Sequence, residues 1–165
     1  MTSSLDTRLA SILCARLCHD LGGVIGGLTG TLDLVQSTDD EMMALARETA
    51  VALRQRLRLY AAAWGGPTAE YDAAALAGML LGSPASPRVQ FALDALSPGA
   101  MVPASLVPIV LNAALLGAEA MPRGGTVVLS GLLAGLAEAG LVVALEPAVG
   151  RAGASPAAWP APLLA

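Results

Sequence analysis

Lysine is missing from these 165 residues, and the nine basic side chains, all arginine, face thirteen acidic ones, for a formal net charge of −4. No broad electropositive face is therefore available to neutralise a phosphate backbone, which excludes nucleic acid as a partner. Charged residues make up only 13% of the chain and hydrophobic ones 55%, the reverse of a disordered composition, so the chain folds. Cysteine is scarce too. Cys14 and Cys18 sit four apart in a helical pattern and cannot supply the four ligands of a structural zinc site, so they are expected to be reduced and buried. With a single histidine beside them, no metal or cofactor site is expected.

Long apolar runs are also few. Ala95 to Ala118 is uncharged and long enough to cross a bilayer, but Pro98, Pro103, Pro108 and Asn112 interrupt it. Met1 to Thr7 shows no basic region followed by an apolar stretch. No membrane association is expected, and the expected compartment is the cytoplasm.

From about Leu5 to Val35, apolar residues recur at Leu9, Leu13, Leu17, Leu21, Val24, Leu28, Leu32 and Val35, one stripe of a helix. Thr38, three residues before Glu41, has the capping-box spacing that opens a second helix. Its stripe of Met42, Leu45, Thr49, Leu53, Leu57, Tyr60 and Trp64 runs to the stop at Gly65-Gly66-Pro67. Two such helices, each about 40 Å long by the rise per residue, can cover only part of each other's apolar surface. A second copy of the hairpin would cover the rest, as an isologous four-helix bundle; the competing cover is the chain's own second half.

After residue 66 the pattern changes, so the expected domains are 1–66 and 67–165. A short helix near Asp72 to Leu81, a breaker at Gly82 to Pro87 and a strand from Arg88 to Leu93 come first. A helix near Pro103 to Met121 follows, then a turn at Pro122-Arg123-Gly124-Gly125 and strands Thr126 to Leu132 and Gly140 to Glu146, joined by a hairpin loop. The expected class is α+β, with helices on a small, largely antiparallel sheet.

His19 lies about 200° round the helix from both Leu17 and Leu21, so it points away from the apolar stripe into solvent. Ala15, Arg16, Gly22, Gly23 and Gly26 share its face. Each helical glycine costs about 1 kcal/mol relative to alanine, so the run Gly22, Gly23, Gly26, Gly27 and Gly30 needs a reason. Close approach of another molecule is one; a helix crossing through Gly-x-x-x-Gly is the other. Neutral imidazole is a good nucleophile toward phosphorus, and phosphoryl transfer depends chiefly on positioning and electrostatics. Asp20 is placed to favour the reactive tautomer, and Arg16 to pair with a phosphate or an acidic partner.

The segment Leu13-Cys14-Ala15-Arg16-Leu17-Cys18-His19-Asp20-Leu21 resembles the H-box of alphaproteobacterial histidine phosphotransferases of the ChpT type, which look like dimeric sensor kinases that have lost ATP binding. The resemblance extends to Arg54 to Gly65 and to Leu111 to Thr126. It implies that His19 accepts a phosphoryl group from a receiver-domain aspartate of a hybrid histidine kinase and passes it to response regulators, with Mg2+ held by the receiver. It also implies that Asp20 is the acidic residue following the phosphoacceptor. The hairpin would then be the homodimeric four-helix bundle, followed by a degenerate histidine-kinase-ATPase-like sandwich. Asn112 falls where kinases place a metal-coordinating asparagine, yet no Asp-x-Gly-x-Gly follows it, which disfavours an ATP-dependent kinase. Gly23 and Val24 depart from the family's small hydroxyl residue and proline. The other reading is a dimeric scaffold that binds regulators without being phosphorylated.

Overall fold

The computed structural model describes residues 4–34, 40–65, 69–97, 99–131 and 140–147. Among them the chain is α+β, with four helices and a three-stranded sheet. It divides into two compact units, Met1–Gln55 and Arg56–Ala165.

Helix α1 spans Ser4–Leu34 and helix α2 spans Asp40–Trp64. Asp40 and Glu41 place negative charge in the first turn of α2, where the helix dipole favours it. Thr38, the expected cap, and Val35 lie outside the described residues. Along α1, Leu17, Leu21, Val24 and Leu28 are half-buried while Leu9, Leu13 and Leu32 are exposed. Ile12–Leu32 is a helical stretch long and apolar enough to cross a membrane by length and composition. Ala95–Ala118, where the sequence raised that question, instead holds the end of a strand, a connecting segment and most of a helix.

In the second unit Leu59, Tyr60 and Ala63, on the last turns of α2, are buried. Helix α3, Ala73–Leu80, starts on Asp72, whose carboxylate accepts a hydrogen bond from the Ala75 amide at 2.7 Å. Strand β1 is Val89–Leu96, helix α4 Val107–Glu119, strand β2 Gly125–Gly131 and strand β3 Val142–Pro147. The sheet runs β1-β2-β3 and is mixed, not largely antiparallel. β1 pairs with β2 in parallel, Val89 opposite Gly125, whereas β2 and β3 are antiparallel, Thr126 opposite Glu146. The connection explains the difference, because a helix between two neighbouring strands returns the chain to enter the sheet in the same direction. The loop expected between β2 and β3 lies outside the described residues.

Leu76, Leu80, Val110, Leu111, Ala114, Val127 and Leu129 have no exposed surface and form the core of this unit. Gly117 lets α4 settle on the sheet, since a Cβ there would meet Val127 Cγ1 at 3.0 Å and Leu145 Cδ2 at 3.1 Å. The turn into β2 also requires glycine: Gly124 has φ +93°, and a Cβ on it would stand 2.5 Å from the Arg88 carbonyl oxygen.

Candidate functional site

The site is built on the middle of α1. The His19 side chain is 86% exposed, whereas the next residue, Asp20, keeps only 7% of its side chain in contact with solvent. One residue further round the helix thus takes a side chain from water to cover, as about 100° of rotation allows. Asp20 Oδ1 lies 3.0 Å from His19 Nδ1, and Asp20 Oδ2 accepts from Arg16 Nε at 2.8 Å. The carboxylate therefore bridges an imidazole and a guanidinium. An ionised carboxylate only accepts, so with Asp20 ionised the shared proton would sit on Nδ1. In the neutral imidazole Nε2 then carries the free lone pair.

Ala15, Arg16, Gly22, Gly23 and Gly26 are all exposed. Among the described residues, nothing beyond the helix's own neighbouring backbone comes within 4 Å of where a Cβ would stand on Gly22, Gly23, Gly26, Gly27 or Gly30. Among the described residues no close helix crossing accounts for the glycines, which leave the face beside His19 without large side chains at those positions. Arg16 pairs with Asp20 through Nε, a partner that the sequence reading did not assign to it.

Cys14 and Cys18 are free thiols but exposed, not buried as expected. Among the described residues no group of three or more histidine, cysteine, aspartate or glutamate side chains is placed to hold a metal ion.

Asn112 has a different set of partners from the one its sequence neighbourhood suggests. Its carboxamide oxygen accepts from the Trp64 indole at 2.8 Å, and its amide nitrogen donates to Ala63 O at 3.1 Å and to Pro108 O at 2.8 Å. Trp64 also stacks on Tyr60, with centroids 4.5 Å apart. The side chain fastens the end of α2 to α4. Sequence reasoning missed this pairing, although a tryptophan closing an amphipathic helix signals an indole N–H in need of an acceptor. Replacing Asn112 with alanine strands the indole N–H and the Ala63 carbonyl, so thermal or denaturant unfolding is expected to register a loss of about 1–3 kcal/mol.

No family model matches the chain. It is similar to the protein phosphotransferase ChpT of Brucella abortus (strain 2308), with 29% identity over 136 residues, 75% of this chain. The chain spans 60% of the length of that relative. Among solved structures it is similar to a bacterial phosphotransferase, with a TM-score of 0.59 and 28% identity over 81% of this chain and 65% of the other. The resemblance to ChpT-type proteins carried by the segment around His19 is borne out over most of the chain.

Proposed function

We propose that this chain is a phosphocarrier in a bacterial phosphorelay. His19 takes a phosphoryl group from the aspartyl phosphate of a hybrid kinase's receiver domain and hands it to the receiver domains of response regulators. The observation that carries the reading is the lone imidazole, 86% exposed on a glycine-rich helix face, with Nδ1 beside a covered carboxylate. Similarity to a curated phosphotransferase and to a solved one supports it.

The step needs little machinery on this side. The Nε2 lone pair attacks phosphorus, the P–N bond forms, and the bond from phosphorus to the aspartyl oxygen breaks, releasing a carboxylate. No proton moves. The ring retains its Nδ1–H and becomes positive, and Asp20 offsets that charge at 3.0 Å. Donation to the next receiver runs the same bonds in reverse. The receiver's Mg2+ stabilises the charge on the transferring group.

The carrier works as a homodimer. Along α1, Cys14, Cys18, Leu21, Ile25, Leu28 and Leu32 recur in alternating steps of four and three, the seam spacing of paired helices. Cys14, Cys18, Ile25 and Leu32 are exposed and Leu21 and Leu28 half-buried, so a second hairpin has apolar surface to cover in a four-helix bundle. The seam is centred about 140° round the helix from His19, which leaves the imidazole face open. The ion pair of Arg16 and Asp20 in the middle of the helix favours an aqueous, cytoplasmic setting over a bilayer. The part from residue 67 onward is the degenerate kinase-like sandwich, with Asn112 serving as a strut.

Incubation with a set of phosphorylated receiver domains tests the reading. Label is expected to leave at least one receiver and appear on this chain in acid-labile form, in a particle of twice the 16.5 kDa chain mass. Label lost from the receivers and never found on the chain would favour the scaffold reading. A monomeric mass would remove the bundle.

A further inference from the structure

We infer that Arg16 is a positioning residue for the phosphoacceptor: by holding Asp20 Oδ2 it turns Oδ1 onto His19 Nδ1 and so selects the ring tautomer whose Nε2 is free to attack. The inference deepens the phosphocarrier reading and rests on it.

Three observations carry it. Asp20 uses its two oxygens on two different partners, Oδ1 on His19 at 3.0 Å and Oδ2 on Arg16 at 2.8 Å, so the orientation of one contact fixes the other. The Asp20 side chain is 7% exposed, and a carboxylate so far removed from water is stabilised by charged partners, of which Arg16 at 2.8 Å is one. The pair is also not an ordinary surface ion pair. Its cation precedes its anion by four residues, the weaker orientation against the helix dipole, and only the arginine end is well solvated, at 47% exposure. An ionised Asp20 accepts the Nδ1 proton. Without Arg16 the carboxylate loses the contact on Oδ2 that turns Oδ1 onto the ring, so the Nδ1-protonated tautomer loses the acceptor that favours it.

The test uses the full chain with nitrogen-15-labelled histidine, whose long-range nitrogen–proton correlations read the tautomer directly. The wild-type protein is expected to show a protonated Nδ1 and an unprotonated Nε2. Arg16→Met should shift the population toward protonated Nε2 and slow label uptake from a receiver by about 10- to 100-fold, the scale of losing the outer partner of an oriented histidine. Arg16→Lys should restore most of both. An unchanged tautomer and an unchanged rate in Arg16→Met would overturn the inference. A tautomer shift in a protein that takes label from no receiver would uphold Arg16 as the orienting group and sink the phosphocarrier reading instead, so the two failures are distinguishable.

Discussion

Replacing His19 with glutamine is expected to abolish phosphoryl acceptance, by about a thousandfold or more, because the nucleophile itself is removed. The chain holds no second histidine to take over. Because the side chain is 86% exposed and its hydrogen-bond partner stays paired with Arg16, the fold should barely notice. Unfolding midpoints should match those of the wild type to within about 0.5 kcal/mol, the usual range for a surface substitution. Transfer assays and calorimetry on the same preparation check both halves, and label persisting in the glutamine variant would place the phosphoacceptor elsewhere.

The second large effect is expected from Gly26→Leu, where stability and function should move in opposite directions. Among the described residues nothing outside the helix's own neighbouring backbone lies within 4 Å of a Cβ at Gly26, so leucine fits without displacing any of them. A helical glycine replaced by a good helix former should gain up to about 1 kcal/mol. Yet the leucine stands seven residues from His19, on its face, where a receiver must approach the ring. Transfer should fall by about 100-fold, an ångström-scale misplacement being enough for a loss of that size. Gly22→Leu should behave alike, Gly26→Ala should lose far less, and the dimer should persist in all three because the proposed seam lies on another side of α1. Measured transfer rates set beside melting curves decide the matter: a more stable protein that transfers normally would show that the glycines are not a docking face.

Much of this was legible in the sequence because it depends on local periodicity. The heptad-like spacing of Leu9 to Leu32 marked α1 to within a residue or two of Ser4–Leu34, and the same arithmetic turned His19 toward water. Asp72 and the Gly124-Gly125 pair were readable as the start of a helix and a turn for equally local reasons. What escaped was set by contacts between distant segments. The direction of β1 against β2 follows from how α4 carries the chain across the sheet, which no property of Val89 to Leu96 encodes. The sequence reading put Asn112 where kinases hold a metal-coordinating asparagine, but its observed partner is Trp64, 48 residues away in sequence. Cys14 and Cys18 were expected to be buried because cysteine usually is, but both are exposed on α1. Asp20 ran the other way, a charged residue found covered and paired with Arg16.

The most direct test of the account is the identity of the phosphorylated atom. After transfer from a receiver domain, phosphorus–nitrogen couplings in the isotope-labelled protein are expected to place the phosphoryl group on Nε2 of His19, with Nδ1 still protonated. A phosphoryl group on Nδ1, or on any residue other than His19, would contradict it.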